Sequence, residues 1–228
     1  MAQSGRSPAF LFDLDGTLID SVYQHVIAWR AALVEAGIDL SVWRIHRRIG
    51  MSGGLFVQAL ARETGREITP EQAEWLQRRH GEHYAESTSA VMPLPGAAEL
   101  LGTLSDLGVP WAIATSGRSV TARPALKILG LPPDTPLVTR DMVRWAKPDP
   151  DLFLAAAELL GVDIRDAMVV GDSIWDLLAA RRSGGLGIGL LSGGYGGEEL
   201  QGAGAFRVYA DPADLLYHLD EVGVRRAL

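Results

Sequence analysis

Two aspartates that are two residues apart follow a short apolar run near the start of the chain. The run Pro8–Phe12 is continuous, as in a strand of a parallel sheet covered on both faces, and Asp13 and Asp15 come directly after it. Ligands bind at the carboxyl ends of strands in open parallel sheets, so two carboxylates there can share nucleophilic and acid–base work. Taken alone, the segment with Gly16 and Thr17 also fits an Asp-Gly turn with a capping threonine.

A hydroxyl-rich turn follows a second apolar run. Ile113 and Ala114 precede Thr115, Ser116 and Gly117, and a helix is expected to begin just beyond them. Such a turn presents backbone N–H groups and a helix N-terminus to an anion. Ordinary helix capping by serine or threonine is the alternative for this segment.

A lysine and two further aspartates stand in the later part of the chain. Lys147 lies before the proline-fixed helix start at residues 148–150, and Asp172 ends the apolar run 167–171, with Asp176 four residues on. Taken singly, Lys147 fits a solvated surface position and Asp172 fits a helix N-cap. If the sheet is parallel, all these groups converge with the earlier ones at one edge of it.

Strands that alternate with helices must position these groups. From their apolar runs, we predict strands at residues 8–12, 110–115, 137–139, 167–171, 186–191 and 206–210. Helical spacing of apolar residues, ended in each case by glycine, predicts helices over residues 96–107, 152–160 and 174–182. This alternation is typical of βαβ units and of a mostly parallel sheet.

The stretch between residues 20 and 92 departs from this alternation. It shows helical patterns only, with Ser21 and Ser52 as candidate N-caps and a capping box that opens at Thr69. Residues 92–96, which include two prolines, form the predicted return to the sheet. The pattern predicts an all-helical insert after the first strand of an α/β core.

Composition and charge exclude several classes of protein. The chain has 228 residues, 47% of them hydrophobic, and its net charge of −7 argues against nucleic acid or a membrane surface as a partner. It contains no cysteine, which excludes disulfide scaffolds, thiolate metal sites and cysteine nucleophiles. No apolar run approaches a membrane span, and residues 1–8 lack the apolar core of a secretory signal. We therefore expect a cytoplasmic protein.

The order and spacing of the motifs at Asp13, Thr115, Lys147 and Asp172 resemble those of the haloacid-dehalogenase-like superfamily of phosphotransferases. The resemblance covers nearly the whole chain and is to the phosphoglycolate-phosphatase and β-phosphoglucomutase branch. It implies an α/β fold with a doubly wound, mostly parallel, Rossmann-like sheet and an all-helical cap inserted after strand 1. The implied core domain comprises residues 1–19 and 93–228, and the implied cap domain comprises residues 20–92.

The resemblance also implies roles for individual residues. Asp13 would be the nucleophile that forms an aspartyl-phosphate, and Asp15 would be the general acid and then the base. Thr115 would hydrogen-bond the transferring phosphoryl group, and Lys147 would be a point charge against the nucleophile and the phosphate.

Mg²⁺ is the cofactor that the resemblance implies. Its ligands would be Asp13, the backbone carbonyl of Asp15, and Asp172, while Asp176 would orient metal-bound water. The implied substrate is a small phosphorylated metabolite, of the sugar phosphate or phosphoglycolate type. The residues expected to bind it are Ser116, Gly117 and Arg118 from the core and Arg47, Arg48 and Ser52 from the cap.

Two other functions stay open at this point. A phosphomutase of the β-phosphoglucomutase type would share the aspartyl-phosphate, although Ile49 and Gly53 stand where such mutases place basic residues around the glycine matching Gly50. A non-catalytic phosphorylatable or binding module is the second alternative. Asp15 itself favours a phosphatase or a mutase, because relatives that attack carbon–halogen bonds or phosphonates lack an aspartate at that place.

Two further features are expected to be structural only. The glycine-rich stretch 184–204 is predicted to supply turns around one strand rather than a phosphate cradle. Solvated polar faces, rather than a metal site, are predicted for the cap histidines His25, His46, His80 and His83.

Overall fold

A six-stranded parallel sheet forms the centre of the computed structural model, which describes residues 8–224. Within these residues the strands are β1 (Ala9–Phe12), β2 (Ile19–Asp20), β3 (Met92–Pro93), β4 (Trp111–Ala114), β5 (Leu137–Val138), β6 (Ala167–Gly171), β7 (Leu186–Leu190) and β8 (Ala205–Tyr209). The main sheet has the order β5-β4-β1-β6-β7-β8, with every neighbouring pair parallel. This confirms the predicted α/β, Rossmann-like fold.

The central strand β1 is apolar throughout because both faces of the sheet are covered. Phe10 and Phe12 pack into one hydrophobic cluster, and Ala9 and Leu11 pack into the cluster on the opposite face. A buried side chain of this size contributes about 1.5–3 kcal/mol relative to an exposed one. The carboxyl end of β1 is therefore held rigidly, which matters for the aspartates that follow it.

Helices cover the sheet and form the insert. In chain order they are α1 (Val22–Glu35), α2 (Val42–His46), α3 (Gly53–Thr64), α4 (Pro70–Ser87), α5 (Ala97–Asp106), α6 (Ser119–Ile128), α7 (Asp151–Leu160), α8 (Ile174–Ser183), α9 (Gly197–Ala203) and α10 (Pro212–Tyr217). No helix in this part of the chain has both the length and the apolar character needed to cross a membrane.

Helices α1 to α4 stand apart from the sheet and share a hydrophobic cluster of their own. Trp29 and Leu33 of α1 meet Ile45 of α2, Phe56 of α3 and Leu76 of α4 there. The amphipathic spacing along each helix directs these side chains to one centre. The helical insert thus has a hydrophobic core of its own.

The helix starts match the sequence pattern in two cases out of three. Thr69 and Gln72 form the predicted capping box, and the Ser52 hydroxyl accepts a hydrogen bond from the N–H of Leu55. Ser21 precedes α1 but makes no capping hydrogen bond. Its hydroxyl instead donates to the Asp15 carboxylate at 2.7 Å, so this serine serves the site rather than the helix.

A two-residue antiparallel pair closes the base of the insert. Ile19 pairs with Pro93 and Asp20 with Met92, at the borders of the stretch predicted to contain only helices. The pairing joins residues more than seventy positions apart, so no local pattern reveals it. It brings the two chain crossings between sheet and insert side by side.

Candidate active site

The carboxyl ends of β1, β4 and β6 bring the predicted residues to one edge of the sheet. The Asp13 N–H donates to the carbonyl of Val170 at 2.8 Å, and the Thr115 N–H donates to the carbonyl of Val138 at 3.0 Å. Both residues therefore continue the hydrogen bonding between parallel strands. Asp172 follows β6 directly. The convergence predicted for a parallel sheet is therefore present.

A buried ammonium group joins two of the acids. Lys147 is fully buried, and its Nζ forms an ion pair with Asp13 and lies 2.8 Å from Oδ1 of Asp176. Burial alone would lower the pKa of Lys147, but Asp13 and Asp176 outweigh burial and raise it. The lysine therefore stays protonated and compensates part of the carboxylate charge.

The acids outnumber the lysine. Carboxylate oxygens of Asp13, Asp172 and Asp176 lie within 4.8 Å of one another, and all three residues are buried. Burial raises the pKa of Asp13 to about 7 against the attraction of Lys147, with repulsion from Asp176 adding to the rise. Burial and repulsion from Asp176 also raise the pKa of Asp172 well above its usual range.

This donor set fits a hard divalent cation. Magnesium is bound through carboxylate and carbonyl oxygens, and a doubly charged ion would offset the excess negative charge that adds to the effect of burial in raising both pKa values. Among the described residues, these three acids form the one group of acidic or histidine side chains arranged to hold a metal ion.

Close packing around Asp172 explains why two neighbouring positions are glycine and a third is threonine. The Thr17 hydroxyl donates to Oδ1 of Asp172 at 3.0 Å. Gly16 has a φ of +86°, and a Cβ there would come within 2.6 Å of Oδ2 of Asp172. A Cβ on Gly193 would overlap the same carboxylate. The Asp172 side chain is therefore held in one orientation by backbone on two sides.

Asp15 makes a different set of contacts. Its Oδ1 accepts from the Ser21 hydroxyl at 2.7 Å and lies 3.1 Å from Nε2 of His25. Burial alone would raise the pKa of Asp15, but His25 and Ser21 favour the carboxylate and lower it. The two aspartates of the first motif thus have pKa values shifted in opposite directions, which suits separate chemical roles.

The expectation of solvated histidines is wrong for His25 and His80. Nδ1 of His25 lies 3.1 Å from Nε2 of His80, and the His25 ring stacks on Tyr84 with centroids 3.9 Å apart. His80 stacks on Trp29 at 4.3 Å, and burial lowers the pKa of His80 well below its usual value. A neutral His80 can donate to His25, leaving Nε2 of His25 to donate to Asp15.

Sequence reasoning missed the connection of Ser21 and His25 to the site. Both belong to the start of the insert, and they reach Asp15 because the chain reverses between Gly16 and Ile19. The spacing of ten residues between Asp15 and His25 matches no helical or strand periodicity that would predict the contact.

The hydroxyl-rich turn after β4 contains a buried hydroxyl without a hydrogen-bond partner among the described residues. Thr115 is buried, and its Oγ1 accepts from the N–H of Gly117 at 2.9 Å. The Ser116 hydroxyl oxygen is buried without a hydrogen-bond partner among the described residues. Arg118 is exposed and precedes α6. A buried hydroxyl without a partner is costly unless a ligand or water satisfies it.

The three cap residues predicted to bind substrate all have protein partners. Arg47 pairs with Glu199, Arg48 pairs with Glu63, and the Ser52 hydroxyl caps α3. Their role in substrate binding stays a prediction.

Comparison with known proteins agrees with this geometry. The model of the haloacid dehalogenase-like hydrolase family matches residues 8–184. Hexitol phosphatase A of Escherichia coli is 35% identical over 181 residues, which are 78% of this chain and 81% of that protein. A phosphoglycolate phosphatase of Agrobacterium fabrum is 31% identical over 196 residues, 85% of this chain and 84% of that one.

A solved structure extends the similarity to the whole fold. The crystal structure of a hydrolase from Pseudomonas syringae superimposes with a TM-score of 0.94 at 56% identity, covering 95% of this chain and all of that one. The chain belongs to the haloacid dehalogenase-like hydrolase family. Its acidic edge, with Lys147 between Asp13 and Asp176, is the candidate catalytic centre of a hydrolase.

Proposed function

We propose that this protein is a Mg²⁺-dependent phosphatase that hydrolyses a small phosphorylated metabolite through an aspartyl-phosphate. Within its family it is a phosphoric monoester hydrolase, in keeping with the phosphatases it resembles. The observation that carries the proposal is the buried Asp13 carboxylate, paired with Lys147 and surrounded by Asp172 and Asp176 at the end of β1.

Asp13 is the proposed nucleophile. Its carboxylate oxygen attacks phosphorus, a new O–P bond forms, and the bond from phosphorus to the substrate's ester oxygen breaks. Lys147 holds the attacking carboxylate in place and offers positive charge to the phosphoryl oxygens. Without such charge, phosphate monoesters hydrolyse extremely slowly.

Asp15 is the proposed acid and then base. It first gives a proton to the leaving oxygen, and it then takes a proton from the water that attacks phosphorus and releases Asp13 and inorganic phosphate. Its lowered pKa suits the base role directly. A bound phosphate dianion raises the pKa of a neighbouring carboxyl by repulsion, so proton uptake by Asp15 accompanies substrate binding.

Asp13, Asp172 and the carbonyl of Asp15 would hold Mg²⁺. When bound, the ion supplies positive charge at the phosphoryl oxygens and screens the carboxylates from one another. Asp176 is proposed to act from outside the coordination sphere, since Oδ2 accepts from the N–H and hydroxyl of Ser173 while Oδ1 faces Lys147.

The turn after β4 is the proposed phosphate cradle. Thr115 and Ser116 present hydroxyl groups near the amino end of α6. Gly117, whose N–H donates to the Thr115 hydroxyl, stays a candidate phosphate-binding residue. The buried Ser116 hydroxyl, which has no partner within residues 8–224, supports this assignment because a phosphate oxygen would satisfy it.

The helical insert is the proposed cap. We assign residues 20–92 to a cap domain and residues 1–19 and 93–228 to the core domain, with the antiparallel pair β2–β3 at the junction. A cap over the acidic edge excludes water and limits the substrate to a small molecule, of the sugar phosphate or phosphoglycolate type. Arg47, Arg48, Ser52 and Arg118 stay candidate specificity residues.

Phosphate release from a panel of small phosphomonoesters tests the proposal. Wild-type protein is expected to release phosphate with Mg²⁺ and to stop with a chelator. Asp13→Asn should lose at least about a thousandfold in kcat, because it removes the nucleophile. Asp106→Asn, an exposed change at the end of α5, is the matched control and should keep full activity.

The outcomes separate the competing functions. Release that survives Asp13→Asn would overturn the aspartyl-phosphate mechanism. Transfer of phosphate to another position of the same sugar, without release, would indicate a phosphomutase. The absence of both from the wild-type protein would indicate a binding module.

A further inference from the structure

The glycine-rich stretch is more than a set of turns. Residues 192–199, which run from the turn after β7 into the first turn of α9, lie between the acidic edge and the cap and contact both. We infer that these residues form a latch that positions the cap loop, residues 46–50, over the catalytic centre. The inference rests on the proposed function for its kinetic readout and on the contacts below for everything else.

The inner end of the latch is anchored in the site itself. The Ser192 hydroxyl donates to the carbonyl of Gly16 at 2.6 Å. Gly193 packs so closely on Asp172 that a Cβ would overlap the carboxylate. The latch is therefore in direct contact with the loop that carries Asp15 and with the acid that follows β6.

The outer side of the latch contacts the cap loop through both backbone and side chains. The Gly193 carbonyl lies 2.8 Å from Nε2 of His46, and the Tyr195 hydroxyl donates to the carbonyl of Arg47 at 2.8 Å. The Arg47 guanidinium pairs with Glu199 and lies 3.9 Å from the centroid of the Tyr195 ring. The core thus contacts Arg47 through both its backbone carbonyl and its guanidinium group.

The position of Arg47 explains why its carbonyl needs a partner. Arg47 follows the last residue of α2, and carbonyl groups at the end of a helix accept no hydrogen bond from within that helix. Tyr195 satisfies this carbonyl, and the Trp175 indole N–H, 3.3 Å away, is a second donor to it. Two core side chains converge on one cap carbonyl.

Docking of Arg47 brings the rest of the loop onto the site. Gly50, three residues on, has a φ of +97°, and a Cβ there would come within 2.6 Å of the Ser173 hydroxyl. Ser173 adjoins Asp172 and bonds to Asp176. Arg47, Tyr195 and Glu199 are therefore positioning residues: they hold the loop against the catalytic edge without touching the reacting atoms.

These contacts are strong enough to favour closure and weak enough to be released. A neutral hydrogen bond, an exposed ion pair and one arginine–aromatic contact each contribute modestly. Removing one of them should shift the cap toward the open state. Substrate binding then includes the cost of closing, so KM rises while kcat changes little.

Two variants test the latch with the full-length protein. Tyr195→Phe removes one hydroxyl and keeps the ring, which is buried against Leu177 and Leu200. Glu199→Gln removes the charge opposite Arg47 and keeps an acceptor for the N–H of Gly196. Tyr217→Phe, on a tyrosine that is 82% exposed, and Glu198→Gln, on the exposed neighbour of Glu199, are the matched controls.

Hydrogen exchange of the resting protein and steady-state kinetics with 4-nitrophenyl phosphate are the two measurements. In Tyr195→Phe, amide exchange in residues 42–52 and KM should each rise about three- to tenfold. In Glu199→Gln, both should rise up to about fivefold and the difference from wild type should shrink in high salt. kcat should stay within about twofold, because the reacting groups are unchanged.

The remaining outcomes test the latch and the proposed function separately. If both variants keep the amide exchange rates and the KM of the wild type, the latch is wrong. A fall in kcat without a change in KM would overturn it as well. Faster exchange in a protein that hydrolyses no ester would support the latch and overturn the phosphatase.

Discussion

At the scale of single residues, the candidate catalytic centre holds more buried negative charge than positive charge. Asp13, Asp172 and Asp176 crowd around one ammonium group, that of Lys147. Removing that lysine would leave buried carboxylates uncompensated, a change that typically costs 3–5 kcal/mol in the free energy of unfolding. The proposed Mg²⁺ would relieve this crowding of negative charge.

The raised pKa values of Asp13 and Asp172 make stability depend on pH. A carboxyl whose pKa is higher in the folded protein binds more protons there than in the unfolded chain, so its contribution to stability is lost as pH rises. For Asp13 this window runs from the ordinary value of 3.8 to about 7. The contribution of Asp13 to the stability of the metal-free protein should therefore be lost across that range.

Asp172→Asn should relieve this repulsion. The amide keeps an oxygen for the Thr17 hydroxyl and removes one negative charge. We expect the Tm of the metal-free protein at pH 8 to rise by roughly 2–6 °C, and the further rise that Mg²⁺ gives the wild type to disappear. Thermal denaturation with and without Mg²⁺ measures both, with Asp106→Asn as the control; a lower Tm in Asp172→Asn would contradict the charge argument.

At the scale of elements, short connecting segments, more than the long helices, set the positions of the site residues. The turn from Gly16 to Ile19 reverses the chain between Asp15 and the cap, and β2 and β3 then fix the two crossings together. Gly96 completes the return to the sheet with a φ of +73° at the start of α5. The geometry of these crossings sets where α1, with His25, meets Asp15.

Two glycine-to-alanine changes in and beside α5 should have opposite effects. Gly96→Ala places a Cβ 2.5 Å from Cα of Ala213 at a left-handed backbone position and should destabilise the protein by about 2 kcal/mol or more. Gly102→Ala, in the exposed interior of α5 with no atom nearby, should stabilise it by about 0.5–1 kcal/mol. Urea denaturation measures both, and equal effects would refute the packing of α5 on α10.

At the scale of the whole molecule, two hydrophobic centres are joined by a polar junction. The sheet is packed on both faces, whereas the insert has a separate cluster around Trp29 and Leu60. Between them lie Asp15, His25 and the latch, whose contacts are hydrogen bonds and ion pairs. A polar junction of this kind permits relative motion of the two parts.

Separate cores predict separate local stabilities. Leu60→Ala, in the insert, should lower amide protection in residues 22–87 while residues 9–14 and 167–171 keep theirs, because the sheet core is untouched. Leu11→Ala, at the centre of the sheet, should instead lower protection throughout by about 2–5 kcal/mol. Both leucines are fully buried, so the pair is matched. Uniform loss of protection in Leu60→Ala would contradict the division into cap and core.

The sequence by itself determined the fold class, the helical insert and the family. Apolar runs such as Ala9–Phe12 are short-range signals of buried strands, and Asp13, Thr115, Lys147 and Asp172 follow or adjoin them in a recognisable order. Parallel strands expose their carboxyl ends at one edge, so convergence of these groups followed from topology alone. The capping box at Thr69 was equally local.

Only the tertiary structure decided the contacts between distant segments. The stack of His25 on Tyr84, the pairing of Ile19 with Pro93 and the close approach of Gly193 to Asp172 join residues far apart in the chain. Glycine runs and histidine spacing predicted turns and polar faces because local patterns report conformation and not partners. Which groups meet, and hence how the pKa of Asp15 is lowered while that of Asp13 is raised, depends on packing between elements that no periodicity encodes.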